Sequence, residues 1–165
     1  MDQVKAAKYS PQGDRIATAS FDSVRVWNSK NGRLLVDIKV TVTPWFNTGL
    51  LWVNNLLFVV SDSKIKEIEA SNGSVVSEWP APNTHSGSCI ALPKHGKFIA
   101  YSTLRTVTFW DTVTHAQLGL IQHSKNIRSI AVSPDDLLLA IGGWGEKSPL
   151  IGCHASLYVV GLWCT

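Results

Sequence analysis

The chain has 165 residues, which is long enough to bury a core. Of these residues 45% are hydrophobic and 16% are charged, a composition that excludes a disordered chain and a coiled coil. The formal net charge of +3 is too small to indicate a partner such as nucleic acid. No apolar run marks a signal peptide or spans a bilayer, so we expect a cytoplasmic protein without a membrane partner, with a nuclear location left open.

The spacing of turn residues predicts an internal repeat of about 41 residues. Gly32 and Gly73 lie 41 positions apart, and so do Pro93 and Pro134. Sequence repeats of this length are typical of β-propellers and other repeat architectures. The predicted repeats cover residues 4–40, 45–79, 86–121 and 127–143.

Each repeat contains short runs of alternating apolar and polar residues, which is the pattern of strands with one packed face. In the first repeat these runs are separated by turn residues, at Ser10–Gly13 and Ser29–Gly32. The strands predicted for this repeat are Val4–Tyr9, Arg15–Ser20, Ser23–Trp27 and Leu34–Val40.

The later repeats predict strands of the same kind. They lie at Leu56–Val60, Lys64–Ile68, Ser74–Trp79, Cys89–Leu92, Lys97–Tyr101, Arg105–Trp110, Ala116–Ile121, Ile127–Val132 and Leu137–Ile141. No segment of useful length has the helical period, so the sequence predicts an all-β chain. The tail at 144–165 breaks the phase of the repeat, and we expect it to be divergent or to complete the last repeat.

Several motifs fall in phase and resemble WD repeats. Residues 9–28 match most of one such repeat and end in Trp27-Asn28. Trp110-Asp111 is a Trp-Asp pair, and Gln122-His123 is similar to the Gly-His site of that family. The resemblance implies a β-propeller, or part of one, with about four four-stranded antiparallel blades. Repeat two departs from it, since Ile68-Glu69 stands in place of Trp-Asp.

The resemblance also implies structural roles for particular residues. Asp22 matches the buried Asp of the family, whereas Arg105 takes that place in repeat three. We therefore expect the family's network of hydrogen bonds among Asp, His, Ser or Thr, and Trp to be incomplete in every repeat. The residues expected to act structurally are Asp22, Trp27, His85, Trp110, Asp111 and His123.

A non-catalytic scaffold that presents its rim to a protein partner is the function that this resemblance implies. Exposed aromatic residues and Arg in the connecting loops are the usual anchors of such interfaces. The residues predicted to contact the partner are Phe21, Trp45, Phe46, Arg105 and Trp144.

Two other functions stay open from the sequence. The repeats also resemble the C-terminal sensor regions of NACHT-type signalling ATPases, in which case this chain is a detached regulatory piece. A propeller that binds a small ligand or glycan is the second alternative, although only Phe21 and Trp144 place an aromatic residue at the shared repeat position.

The sequence predicts no catalytic residues, metal site or cofactor. The segment 142–148 lacks the glycine that a phosphate-binding loop needs before its lysine, because Glu146 stands there. Cys153, His154 and Cys164 do not have metal-ligand spacing. With about four repeats, we expect either a piece of a longer protein, two copies that associate to complete a ring, or a C-terminal end altered by a broken gene model.

Overall fold

A computed structural model describes residues 3–41, 49–61, 63–81, 89–144 and 155–161, with the side chains of residue 144 and of residues 155–161 left undescribed. In these ranges the chain forms strands, and no helix there has the length and apolarity that a membrane crossing needs. The fold is all-β, as the sequence predicts.

The strands form four antiparallel sheets, and in each sheet successive strands are hydrogen-bonded neighbours. Sheet one contains β1 (Ala6–Tyr9), β2 (Arg15–Ala19), β3 (Ser23–Asn28) and β4 (Leu34–Lys39). Sheet two contains β5 (Leu50–Val53), β6 (Leu56–Ser61), β7 (Lys64–Glu69) and β8 (Val75–Pro80). Sheet three contains β9 (Ile90–Ala91), β10 (Phe98–Ser102), β11 (Thr106–Asp111) and β12 (Gln117–Gln122). Sheet four contains β13 (Ile127–Val132), β14 (Leu138–Trp144) and β15 (Ala155–Gly161).

The turn between the third and fourth strands has the same geometry in sheets one, two and three. Gly32, Gly73 and His115 hold its left-handed position, with φ of 69°, 79° and 56°. The third strand, which leads into this turn, has a register shift immediately before Trp27, Ile68 and Trp110. A turn that ends in a left-handed residue produces such a bulge, so the turn sets where the bulge lies.

The chain divides into two compact units, Met1–Gly87 and Ser88–Thr165. In the first unit, one face of sheet one packs against sheet two through an apolar cluster that includes Ala17, Val26, Leu57 and Ile68. In the second unit, sheets three and four share a cluster of their own, whose fully buried members are Ala100, Val107, Leu139 and Ile141.

The turn after β7 approaches sheet one very closely. A Cβ atom built on Gly73 would lie 2.9 Å from Cγ1 of Ile38 and 3.1 Å from Cγ1 of Val36, both in β4. Real Cβ atoms do not approach other carbon atoms to within 3 Å, so a residue without a side chain is needed at this point. The corresponding Gly32 has nothing within 4 Å of such an atom.

The other face of sheet one is less covered. It carries Tyr9, Ile16, Thr18 and Trp27, because Tyr9 pairs with Ile16, and Ile16 pairs with Trp27, in adjacent strands. Tyr9 is 65% exposed, and Ile16, Thr18 and Trp27 are half-buried. In sheet two the matching face, which packs on sheet one, holds Leu57, Val59 and Ile68 at 0% exposure.

Sheet four corrects one expectation. Trp144 was expected in a turn, but it is the last residue of β14, where it pairs with Ala155 of β15. The reason is that β14 has seven residues, while the second strands of sheets one and three have five. β15 pairs with β14 along its whole length and gives sheet four its third described strand.

Candidate protein-interaction surface

Of the five residues predicted to contact a partner, the structure describes the side chains of two, one in each unit. Phe21 lies in the first unit and Arg105 in the second. Trp45 and Phe46 lie outside the described residues, and only the backbone of Trp144 is described. The surface therefore has to be examined one unit at a time.

Phe21 lies in the turn between β2 and β3 and packs locally. Its ring is half-buried, and Nζ of Lys5 lies 4.6 Å from the ring centroid, within range of a cation–π contact. The covering lysine leaves Phe21 less available as an anchor than its position in the sequence predicts.

Asp22, in the same turn, is exposed and not buried as expected. Its Oδ1 accepts hydrogen bonds from the hydroxyls of Ser23 at 3.0 Å and Ser20 at 3.2 Å. These hydrogen bonds lower the pKa of the Asp22 carboxyl below its ordinary value. Because both donors lie within its own turn, the carboxylate closes that turn without being buried.

Arg105 is an exposed residue in the turn between β10 and β11, and that turn is firmly held. Its Nε donates to Oδ1 of Asn126 at 3.3 Å, and its backbone oxygen accepts from the N–H of His123 at 2.7 Å. The oxygen of Leu104 accepts from the N–H of Ile127 at 2.6 Å. These bonds join the turn to the loop that leads into β13.

Sequence reasoning missed Leu104 and Lys125 beside Arg105. Leu104 is 41% exposed although it is apolar, and Lys125 is half-buried in the neighbouring loop. A signal for Leu104 was present, because it occupies the same repeat position as Phe21. We call residues 103–105 and 123–126 the upper loops of the second unit.

His123 stabilises the second of the upper loops, residues 123–126. It is only 7% exposed, and its Nδ1 lies 2.8 Å from the oxygen of Lys125. Gly143 of β14 leaves room for this loop, since a Cβ there would lie 3.1 Å from the oxygen of Asn126. His85, the other histidine expected to be structural, lies outside the described residues.

The opposite end of the second unit carries turns whose carboxylates are used internally. We call residues 92–97, 112–116 and 133–137 the lower turns. Oδ1 of Asp111 accepts from the N–H groups of Thr114 at 2.7 Å and Val113 at 2.9 Å, and these bonds lower its pKa. Asp111 thus closes the turn after β11.

Asp136 connects two of the lower turns. Its carboxylate oxygens accept from the N–H of Lys94 at 2.7 Å and of His95 at 3.0 Å. Desolvation raises the pKa of Asp136, but these two bonds and the charge of His95 outweigh it, so the pKa lies below its ordinary value. The residue holds a φ of 61° where Gly13 has 73° in the matching turn of sheet one.

The two tryptophans at the ends of the third strands have different polar surroundings. Nε1 of Trp27 donates to Oγ1 of Thr18 at 2.8 Å. Tyr101 takes the place of Thr18 in sheet three, and Nε1 of the buried Trp110 has no acceptor among the described residues. The part of the chain that the structure describes also holds no cluster of three or more His, Cys, Asp or Glu side chains that could bind a metal ion.

Comparison with known proteins finds similarity to one family over part of the sequence. The family model described as "WD domain, G-beta repeat" matches residues 116–146, which run from the end of sheet three through β14. WD repeat-containing protein 90 of Homo sapiens is 27% identical over 86 residues, and that of Mus musculus is 27% identical over 92 residues. Residues 116–146 thus match the WD-repeat model, and about half of the chain is similar to WD-repeat proteins.

The WD-repeat relatives are far longer than the part they share with this chain. The human match covers 50% of this chain and 5% of that protein, and the mouse match covers 53% and 5%. What those proteins do as a whole is therefore not transferred. A detached sensor region of a NACHT-type ATPase likewise stays a prediction.

Solved structures show the fold of the WD repeats. The WD40 β-propeller domain of Doa1 superimposes with a TM-score of 0.69 at 21% identity, covering 86% of this chain and 48% of that one. A Kuenenia stuttgartiensis hydrazine synthase chain superimposes with a TM-score of 0.74 at 16% identity, covering 94% and 45%. At these identities the likeness concerns the fold alone, and that fold is a β-propeller or part of one.

Proposed function

We propose that this WD-repeat chain is a non-catalytic scaffold that binds a protein partner through the loops at one end of its sheets. The observation that carries the proposal is the turn between β10 and β11, which exposes Leu104 and Arg105 while hydrogen bonds to the next loop hold it in place. A held loop loses little conformational entropy on binding, which favours its use in recognition.

The chemistry of the described polar groups supports a scaffold over an enzyme. The carboxylates of Asp111 and Asp136 are occupied by backbone N–H groups of turns, and Asp22 is occupied by two serine hydroxyls. Each of these acids closes or joins turns of the fold. Such carboxylates stabilise loops instead of transferring protons.

The test is affinity purification with the immobilised chain, followed by titration of each recovered protein as a purified component. Leu104→Asp introduces a charge at the exposed turn, and we expect it to abolish binding of a true partner. Val113→Asp, at an 85% exposed apolar residue of a lower turn, is the matched control and retains binding. A partner that binds the wild-type chain, Leu104→Asp and Val113→Asp with equal affinity contradicts the proposal.

We further propose that the chain associates with another copy of itself through the uncovered face of sheet one. The support is the contrast between this face, with Tyr9 at 65% exposure, and the matching face of sheet two, which sheet one covers completely at Leu57, Val59 and Ile68. Because the same repeat pattern builds both faces, this face of sheet one is suited to pack against another sheet, as the matching face of sheet two does.

A further inference from the structure

We infer that the upper loops of the second unit bind an acidic peptide segment, with a carboxylate of the partner on Arg105 and an apolar side chain beside Leu104. This inference rests on the proposed function and names the chemistry of the partner. Its basis is the distribution of charge between the two ends of the second unit.

In the described part of the second unit the acidic residues lie at one end only, whereas basic residues lie at both ends, with Lys94 and Lys97 in the lower turns. The upper loops and the strand ends beside them, residues 103–106 and 122–128, contain Arg105, Lys125 and Arg128 and no acidic residue. All described carboxylates of this unit, those of Asp111, Asp135 and Asp136, lie at the lower turns. Arg105 and Lys125 therefore give the upper loops a positive potential, with no described acid at the same end.

The acids at the lower turns are also occupied. Asp111 and Asp136 accept backbone N–H groups, and Asp135 accepts from the hydroxyl of Ser133 and from the N–H of Leu137. They close or join turns, so they do not extend towards a partner. At the lower turns these acids lie beside Lys94 and Lys97, so that end carries both signs of charge, whereas the described residues of the upper loops carry positive charge alone.

The guanidinium of Arg105 is both oriented and available. Its Nε–H is used by Asn126, and no hydrogen bond or ion pair within the described residues uses its Nη groups. A guanidinium whose Nη–H groups are not used by any described residue can bind a carboxylate through two parallel hydrogen bonds. Asn126 acts here as a positioning residue.

Leu104 determines which class of anion fits. It is 41% exposed immediately beside Arg105, so the surface combines one cation with apolar area. A peptide supplies both a carboxylate and apolar side chains at the spacing of neighbouring residues. Nucleic acid supplies a row of phosphates, and binding it tightly takes several cations along its backbone.

The experiment selects peptides from a random 12-residue phage library on the immobilised full-length chain and measures the selected peptides by fluorescence anisotropy. The expected binders are enriched in Asp and Glu next to apolar residues. Arg105→Glu weakens them at least about tenfold, as loss of a central charged anchor does. Lys97→Glu makes the same charge change at an exposed lysine of the lower turns and alters binding less than about twofold.

Each other result overturns the inference. Binders without acidic enrichment, or binders weakened equally by Lys97→Glu and Arg105→Glu, leave a peptide-binding scaffold but remove the acidic partner. A 20-nucleotide single-stranded DNA that binds more tightly than any selected peptide, and is lost with Arg105→Glu, assigns the surface to nucleic acid. If the library gives no binder and affinity purification gives no partner, the proposed function itself fails.

Discussion

At the scale of single residues, the same indole group has two different environments in this chain. Trp27 has a threonine hydroxyl as acceptor, whereas the buried Nε1 of Trp110 has none among the described residues. A buried donor without an acceptor costs free energy because its hydrogen bond to water is not replaced. The hydrogen bond between Trp27 and Thr18 is therefore expected to stabilise the first unit measurably.

We predict that Thr18→Val lowers the free energy of unfolding by about 1 kcal/mol, since it leaves Nε1 of Trp27 without its acceptor. In a Trp27→Phe background the same change has little effect, which gives a coupling energy of about 1 kcal/mol in a double-mutant cycle. Urea unfolding followed by circular dichroism measures all four proteins. Strictly additive effects would show that the bond contributes nothing.

The sequence allowed part of this residue-level description. The sequence predicted that Trp27 is structural, but it predicted neither the hydrogen bond to Thr18 nor the exposure of Asp22. Whether a carboxylate is buried depends on which donors reach it, and here Ser20 and Ser23 satisfy it at the surface. The stacking of Lys5 on Phe21 is likewise a contact between side chains that no spacing rule encodes.

At the scale of strands and turns, the shared turn after the third strand controls both register and packing. Gly32 and Gly73 have similar positive φ values, but only Gly73 lies against a neighbouring sheet. The two positions thus separate the cost of backbone strain from the cost of a steric clash. The sequence predicted both turns, since Asn-Gly is a strong turn signal, but not their different surroundings.

We predict that Gly32→Ala lowers the free energy of unfolding by about 1 kcal/mol, because alanine is strained at positive φ. Gly73→Ala carries the same strain and also displaces Val36 and Ile38, so the expected loss is at least about 2 kcal/mol. Urea denaturation midpoints of the two variants provide the comparison. Equal losses in the free energy of unfolding would mean that Val36 and Ile38 move aside for the added methyl group without an energetic cost.

Asp136 gives the second prediction at this scale, which concerns pH. Its pKa in the folded chain is lowered, so the stabilisation is complete above the pKa of the unfolded chain and is lost as the pH falls through the lower, folded value. Asp136→Asn tolerates the positive φ and cannot titrate.

We therefore expect the wild-type chain to lose more stability than Asp136→Asn between pH 6 and pH 3, the change setting in below about pH 4. Thermal unfolding at a series of pH values measures the difference. Parallel curves for the two proteins would show that the Lys94 and His95 bonds do not depend on the charge of Asp136. Asp111 is not among the groups that shift the pKa of Asp136 and it titrates in both proteins, so its contribution cancels.

At the scale of the whole molecule, the architecture was the most predictable part. The predicted strands agree with the observed ones to within a few residues, because alternation of apolar residues and turn chemistry are local properties. The sequence left open whether residues 144–165 complete the last repeat, because β15 follows residues 145–154, whose sequence breaks the repeat period. Interactions between loops were even less accessible, because they join residues from different repeats.

Self-association is the prediction that belongs to this scale. We expect light scattering on a sizing column to give twice the mass of the 18.0 kDa chain. Tyr9→Asp with Ile16→Asp charges the uncovered face of sheet one and gives a monomer, whereas Val113→Asp leaves the mass unchanged. A wild-type monomer at all concentrations, or a dimer insensitive to the double substitution, would refute association through this face.

The close approach of Gly73 to sheet one also limits how the repeats can be rearranged. The four repeats look like interchangeable copies, yet His115 occupies in sheet three the turn position that Gly73 occupies in sheet two. Placed after β7, an imidazole would meet Val36 and Ile38 where even a methyl group does not fit. Replacing repeat two by repeat three would therefore create a clash at this turn, whereas the glycine that repeat one carries at the same position would fit there.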